Sequence, residues 1–264
     1  MDTIAIIGGG NLGAAIAEGL IKSKFIKAHQ LIVTKRNIAT LDYLAKQGVT
    51  ITSNNNEAVK KASLIILAVK PYNYQAILTD IKKDLQPKKH VLVSVITGVL
   101  ISTLQNTIGK NMPMVRAMPN TAIAIQQSMT CISYNNCTVT QEVYINKLFE
   151  NLGKVTTIDE SLMDAATVLA ACATAFAMRY IRANIQGGIE IGFDAKTASL
   201  IAAQTVNGAA ELLLQKNTHP EQEIDKVTTP KGCTIAGLNE MEHQGFSSSL
   251  IKGIATSYNK IVKG

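Results

Sequence analysis

What constrains this chain most is the way its start passes from an apolar run into glycines and then into a helix. Thr3-Ile4-Ala5-Ile6-Ile7 is too short for a helix and rich in β-branched residues, so it reads as a strand. It leads straight into Gly8-Gly9-Gly10-Asn11-Leu12-Gly13, and from Asn11 to Lys22 alanine and leucine recur at helical spacing. The G-x-G-x-x-G pattern of Gly8, Gly10 and Gly13 thus lies between a strand and a helix, where each glycine has a physical task. Gly8 permits the tight turn, Gly10 lets a diphosphate approach the backbone without a Cβ in the way, and Gly13 lets helix and strand pack closely. The helix start, with Ile7 just before the turn and Asn11 and Leu12 at its opening, offers free N–H groups to phosphate oxygens. The alternative, a glycine turn that binds nothing, is disfavoured by the alternating elements downstream of it.

Gln30 to Thr34 reads as a second strand, Ala39 to Lys46 as a helix, Thr50 to Thr52 as a short strand and Leu64 to Val69 as a buried strand. Such alternation implies an α/β, doubly wound parallel sheet of Rossmann type. Sites that prefer NAD place an acidic residue about 20 residues past the glycines, at the end of the second strand. Here that place reads Thr34-Lys35-Arg36-Asn37, with no carboxylate to repel a 2′-phosphate and with a hydroxyl and two cations to bind one. NADPH is therefore the expected cofactor, with NADH weaker; the competing reading makes Lys35 and Arg36 solvent-facing charges. The turns at Ala68-Val69-Lys70-Pro71, Ser94 to Gly98 and Met118-Pro119-Asn120-Thr121 should face the same crevice and wall its nicotinamide half, with Pro71 opening a helix. Strands near Met114, from Met129 to Ser133 and from Lys154 to Ile158 complete the sheet, with a helix from Thr140 to Asn151.

The patterning changes near Asp159. From Leu162 onward only helical spacing is found: an alanine-rich stretch to Gly192, then Ala195 to Leu214, Ile235 to His243 and Ser247 to Val262. The expected domains are therefore residues 1–158, binding the nucleotide, and an all-α domain over 159–264. Roughly a hundred alanine-rich residues form a thin core alone. Small residues such as Ala170, Ala202 and Gly208 allow close helix packing, so dimerisation through this half is expected. Between two of these helices, Val227-Thr228-Thr229-Pro230-Lys231-Gly232-Cys233-Thr234 forms a hydroxyl-rich turn before a helix start. Its backbone N–H groups, the helix dipole and Lys231 would suit a carboxylate; the rival reading is an interhelical loop capped by Thr229 or Thr234.

Composition closes off other classes. The net charge of +7 is spread over short pairs such as Lys60-Lys61 and Lys82-Lys83, and aromatic residues are only 5%, so no nucleic-acid partner is expected. The longest apolar stretches, such as Ser63 to Val69 and Val91 to Ile96, fall far short of a membrane span, so no membrane partner is expected. Cys131, Cys137, Cys172 and Cys233 are far apart and follow no signal peptide, which predicts reduced thiols in the cytoplasm. These cysteines and His29, His90, His219 and His243 show no metal-ligand spacing, so no metal is expected. Cys233 has no histidine placed nearby as a base, which disfavours thiol chemistry.

Ala68-Val69-Lys70-Pro71, Met118-Pro119-Asn120-Thr121 and above all Val227 to Leu238 resemble the pyrroline-5-carboxylate reductases, and the similarity covers essentially the whole chain. The resemblance implies an N-terminal Rossmann domain, a C-terminal helical domain that interlocks two subunits, active sites between the domains and, in many members, rings of dimers. It implies NADPH-dependent reduction of 1-pyrroline-5-carboxylate to L-proline, the last step of proline biosynthesis. The substrate carboxylate loop is then Thr229, Lys231, Gly232, Cys233 and Thr234. Thr234 matches the threonine whose hydroxyl lies beside the substrate nitrogen, and Asn55 lies near the adenosine end of the cofactor. Such an enzyme needs chiefly to hold the imine carbon about 3 to 3.5 Å from the hydride donor, because a protonated imine is already electrophilic. Thr234 is too weak an acid to protonate the nitrogen alone, so its expected part is an orienting hydrogen bond.

This chain departs from the family pattern at three places. The usual Ser-Pro-Gly-Gly-Thr-Thr stands here as Thr229-Pro230-Lys231-Gly232-Cys233-Thr234, the usual Gly-Pro-Ala-Tyr as Ala173-Thr174-Ala175-Phe176, and a common glutamate as Arg182. Lys231 loses conformational freedom but adds a charge, so retained activity with altered affinity is expected. Arg182 bears on subunit packing. Two rival functions remain open: another imine or β-hydroxyacid-type reductase, against which Val227 to Leu238 argues, and a non-catalytic NADPH-binding sensor.

Overall fold

The computed structural model describes residues 3–263. Its strands are β1 (Ile4–Ile7), β2 (Leu31–Thr34), β3 (Thr50–Thr52), β4 (Leu64–Leu67), β5 (Val91–Ser94), β6 (Met114–Met118), β7 (Ser128–Asn135) and β8 (Gly153–Thr157). They form one sheet in the order β3-β2-β1-β4-β5-β6-β7-β8. β1, β2, β4 and β5 are buried along their whole length, which is why they read as unbroken apolar runs and not as alternating ones. Ile4, Ile6, Val33, Ile66 and Val93 cluster with Ile16 and Leu20 of the helix Asn11–Lys22 and Phe149 of the helix Val139–Glu150. Ala5, Ile7, Ile65, Leu67 and Leu92 cluster instead with Leu78, Ile81 and Leu104. Strand order reverses between β1 and β4, and in such sheets a crevice opens at the carboxyl ends of the two strands.

The sheet is not parallel throughout: β6 and β7 are antiparallel, while every other neighbouring pair is parallel. The reason is chain length. Residues 119–127 hold only a short 3₁₀ turn, Thr121–Ile125, and a parallel crossover needs a dozen residues or more. The helix expected over Ala39 to Lys46 is shorter, a 3₁₀ turn at Ile38–Leu41 followed by one turn of α-helix at Asp42–Ala45. Pro71 opens a 3₁₀ turn, Pro71–Asn73, and the α-helix Tyr74–Ile81 comes directly after it.

Contacts divide the chain into two compact units, one running to Cys172 and including the chain end from Ile261, the other being Ala173–Lys260. The expected boundary near Asp159 marks the end of the last strand, whereas by packing the division falls after Cys172. The helix Met163–Ala166 and the π-helical turn Thr167–Cys172 belong to the first unit: Met163 and Ala170 cluster with Met118 and Cys131. In the second unit, the helices Ala173–Glu190, Pro220–Val227, Cys233–His243 and Phe246–Val262 have no buried residue, and Ala195–Lys216 buries only Ala198 and Ala202.

One continuous helical stretch, Glu160–Glu190, is long and apolar enough by length and composition to cross a membrane. The sequence reading follows unbroken apolar runs and so passes over this alanine-rich segment. Its first half packs on the sheet, where Asp164 accepts a hydrogen bond from buried Arg116, and its second half carries Arg179, Arg182 and Glu190.

His90 tests the packing of the first unit. It is 1% exposed, and its Nδ1 accepts the Gln86 N–H at 3.0 Å. Burial, aided by the nearby Lys89 charge, lowers its pKa from 6.5 to about 4. The unfolded chain therefore binds a proton in that window which the folded chain refuses. The stabilisation from neutral His90 is complete above pH 6.5 and is lost as pH falls toward 4. The loss is about 3 kcal/mol. Urea unfolding near pH 7 and near pH 4.5 is expected to show a fall in stability that is smaller by most of that amount in His90→Gln; equal falls in both proteins would show that His90 does not titrate in this way.

Candidate active site

The glycine turn is fixed by backbone contacts. Gly8 has φ +107°, and a Cβ on it would lie 2.5 Å from the Ala68 carbonyl oxygen. A Cβ on Gly13 would collide with the Gly8 carbonyl, so the third glycine lets the helix Asn11–Lys22 sit against β1. A Cβ on Gly10 would meet no protein atom within 4 Å, so packing does not require this glycine. Gly10 is also the residue before the helix, and no side chain caps the first turn, which leaves the N–H groups of Asn11, Leu12 and Gly13 without intrahelical partners.

A cleft beside this turn gathers most of the expected cofactor residues. Ile7, Gly8 and Gly10 line it from β1, Thr34, Lys35 and Arg36 from the end of β2, Ala68, Val69 and Lys70 from the end of β4, and Asn55 from the first position of the helix Asn55–Lys61. It brings together three cations and no carboxylate. Thr34 also holds the glycine turn itself. It is 2% exposed, its carbonyl accepts from the Gly8 and Gly9 N–H groups at 3.2 and 2.6 Å, and its hydroxyl accepts from the Gly8 N–H at 3.2 Å. The hydroxyl thus holds the turn as an acceptor while its O–H remains a donor, and Lys35 and Arg36 stand beside it with the charges suited to a 2′-phosphate. Ser53 also lines the cleft and was missed. The signal lay in the pairing of β3 with β2, where the Lys35 N–H donates to the Thr52 carbonyl at 3.1 Å and brings the end of β3 beside Arg36. Gly9, Asn73 and Ile77 were likewise not singled out.

Asn11, Leu12, Gly13, Pro71, Met118 and Asn120 do not line this cleft. Met118 is 3% exposed and packs with Cys131 and Met163. The Asn120 carboxamide accepts from the Ala122 N–H at 3.0 Å and donates to the Ala170 carbonyl at 3.1 Å. The Ser94 hydroxyl accepts the Ile96 N–H at 3.3 Å.

The second unit contains the hydroxyl-rich turn. The Gly232 N–H donates to the Thr229 carbonyl at 2.9 Å, closing a tight turn with Lys231 at φ +60°. A Cβ on Gly232 would lie 2.5 Å from Thr229 Oγ1 and 3.0 Å from the Thr229 carbonyl oxygen. The helix begins at Cys233, two residues before Ile235, with Gly232 as its cap and no side-chain capping bond. Neither Thr229 nor Thr234 caps it, so the rival reading as a side-chain-capped loop does not hold. The N–H groups of Cys233, Thr234 and Ile235 lack intrahelical carbonyls. Thr234 is half-buried in the first turn, while Cys233 and Lys231 are exposed. Among the described residues no group of three or more His, Cys, Asp or Glu side chains is placed to hold a metal ion.

Residues 160–263 match the family model for pyrroline-5-carboxylate reductase dimerisation, and residues 3–98 match the model for NADP oxidoreductase, coenzyme F420-dependent. Pyrroline-5-carboxylate reductase 1 of Dictyostelium discoideum is 46% identical over 97% of this chain, which spans about half (49%) of that relative. Pyrroline-5-carboxylate reductase 2 of the same organism is 44% identical over 98% of this chain and 92% of its own length. A pyrroline-5-carboxylate reductase structure from Coxiella burnetii superposes with a TM-score of 0.91 at 27% identity, covering 99% of this chain and 98% of the other. The Plasmodium falciparum pyrroline carboxylate reductase with NADP bound superposes at 0.88 with 25% identity, covering 98% and 96%.

The cleft predicts how the cofactor is chosen. Arg36→Ala removes a charge-assisted contact of about 1.5 to 3 kcal/mol to a 2′-phosphate, so the Kd for NADPH should rise roughly tenfold or more while that for NADH changes little. Fluorescence titration with both nucleotides checks this, and equal weakening for the two would show that Arg36 does not read the 2′-phosphate.

Proposed function

The chain belongs to the pyrroline-5-carboxylate reductase family, and from that premise we propose that it reduces 1-pyrroline-5-carboxylate to L-proline with NADPH. The observation that carries this reading furthest is the turn from Thr229 to Gly232 closed onto an uncapped helix start. Three adjacent N–H groups at the positive end of a helix dipole are a receptor for a carboxylate, and Lys231 adds a cation beside them. The glycine turn with Lys35 and Arg36 supports NADPH, and the Plasmodium relative binds NADP.

NADPH supplies the hydride, which goes to the carbon of the cyclic C=N bond. The protein's own work is to bind and orient. Holding the carboxylate fixes one end of a small rigid ring, and one further hydrogen bond at the ring nitrogen sets the face presented to the hydride. Thr234 takes that second part. Its hydroxyl lies in the first turn of the same helix that supplies the N–H groups, so carboxylate and nitrogen are located by one rigid element. The hydroxyl can accept from the iminium N–H and can equally hold the product amine, without itself supplying the proton.

We further propose that the working unit is a homodimer joined through the second unit, with rings of dimers as the higher assembly, in a compartment that keeps its four cysteines reduced. The exposure of Leu200 (71%), Ile191 (78%) and Ile251 (66%) supports a covered surface there.

The test is NADPH consumption with 1-pyrroline-5-carboxylate by the wild type and by Thr234→Ala. Loss of one orienting hydrogen bond, about 1.5 kcal/mol or more, should lower turnover at least tenfold while leaving the Kd for NADPH within about twofold. NADPH binding without turnover in the wild type would defeat the reductase reading and favour a sensor.

A further inference from the structure

Among the described residues Arg116 is the largest fully buried side chain, at 0% exposure in the middle of β6. Its Nη2 donates to Asp164 Oδ1 at 2.9 Å, and its Nη1 stands 3.7 Å from Glu160 Oε1. Its Nε and Nη1 make no hydrogen bond. A buried, half-satisfied arginine is poor value for stability, because an apolar side chain of similar volume would fill the space without the desolvation cost. What such a group gives in return is a fixed geometry, and the geometry here is local.

Asp164 lies in the helix Met163–Ala166, and Glu160 Oε1 also accepts the Ile101 N–H at 2.7 Å at the start of the helix Ile101–Ile108. Arg116 therefore ties the middle of β6 to two helix starts at once. Beyond the end of that strand, Asn120 repeats the tie: its Nδ2 donates to the Ala170 carbonyl at 3.1 Å within the π-helical turn, and its N–H donates to Ser128 Oγ at 3.1 Å. The segment Met118 to Thr121 is thus held against the 163–172 helical stretch at two points, before and after the bend.

We infer that Arg116, through Asp164, is a positioning residue for the hydride-transfer site, setting the place of the Met118 to Thr121 turn. The inference rests on the proposed reductase reading and on the sequence expectation that this turn, at the carboxyl end of β6, faces the nicotinamide half of the site; Met118 and Asn120 themselves lie outside the cleft beside the glycine turn. Arg116 touches neither substrate nor cofactor. Removing its pairing frees the helical stretch to shift on β6 and carries Asn120 with it. An offset of that kind weakens alignment for hydride transfer more than it weakens binding.

The experiment compares the wild type with R116K, D164N and the double variant. It reads turnover with 1-pyrroline-5-carboxylate, the Kd for NADPH, the unfolding midpoint, and the isotope effect on turnover with NADPH deuterated at the transferred position. Each single variant is expected to lose about tenfold in turnover per folded enzyme, with NADPH affinity within about twofold. The isotope effect should rise as hydride transfer becomes limiting. The double variant should be about as impaired as either single one, since both break the same pair. R116K keeps the charge but not the planar fork, so it is not expected to restore the wild-type rate. A lowered unfolding midpoint with unchanged turnover and isotope effect, or losses that multiply in the double variant, would overturn the assignment. Should R116K fail to fold, D164N decides by the same readouts, since the Asp164 side chain is 31% exposed. A wild type without turnover would overturn the reductase reading and this assignment with it, whereas an active wild type whose variants work normally overturns only the assignment.

Discussion

The helix Asn11–Lys22 can lie where it does only because backbone meets backbone without a side chain between. Gly13 faces the Gly8 carbonyl and Gly8 faces the Ala68 carbonyl, each at a distance where a Cβ would not fit. Thr34 draws β2 into the same knot through its carbonyl and hydroxyl. Three strands and one helix start are thereby fixed against one another, and the cleft is what their ends leave between them. Lys35 and Arg36 reach the cofactor region because they follow Thr34 directly, and Ala68 to Lys70 do so because they follow β4. An alanine at Gly13 would push the helix away from the sheet and move the free N–H groups along with it.

The first unit is a self-sufficient core with apolar clusters on both faces of its sheet. The second is a set of helices that hide almost nothing from water. Burial of apolar surface is the main favourable term in folding, so such a unit gains little by folding alone. Its alanines and glycines suit close approach of another helix, and its exposed leucines and isoleucines supply the area that approach would cover. The dimerisation model over residues 160–263 fits that need. In a homodimer that covers this surface, subunit association would supply the burial that folding of this half lacks alone.

Much of this was legible in the sequence because the signals are local and repeated. Buried parallel strands are short, apolar and followed by glycine or proline, and the cations after β2 stand in for an acid whose absence is visible. Other features were not local. The reversal at β7 depends on the short span from Pro119 to Gln127, a geometric limit rather than a residue preference. Thr34 reads from sequence as a phosphate ligand by its type, and only the fold shows its hydroxyl also accepting from the Gly8 N–H. The helix Pro220–Val227 carried a readable start in His219-Pro220 with Gln222, yet its polar composition gave no periodicity to follow. Arg116 reads from sequence as a strand residue with an awkward charge; its partners at 160 and 164 come from another element.

The turn at Thr229 to Gly232 keeps a glycine where a Cβ would clash and carries a lysine where only the torsion is strained. In a turn closed by the bond from Gly232 N–H to the Thr229 carbonyl, proline suits the second position, and the third takes positive φ, where glycine is ordinarily found. Lys231 occupies that third position at φ +60°. The left-handed conformation costs a non-glycine residue roughly 1 kcal/mol, a penalty on the torsion alone with no clash behind it. At Gly232 the obstacle is steric, since a Cβ would press on Thr229 Oγ1 and its carbonyl oxygen, and there the glycine is kept. The chain has thus changed the position where the cost is small and retained the one where it is large. An exposed ammonium returns little in water, about 0 to 1 kcal/mol, and rather more against a carboxylate that displaces water from the turn. On these magnitudes the lysine roughly breaks even in the free protein and gains only when an anion is bound, which is the basis for expecting altered affinity rather than altered chemistry.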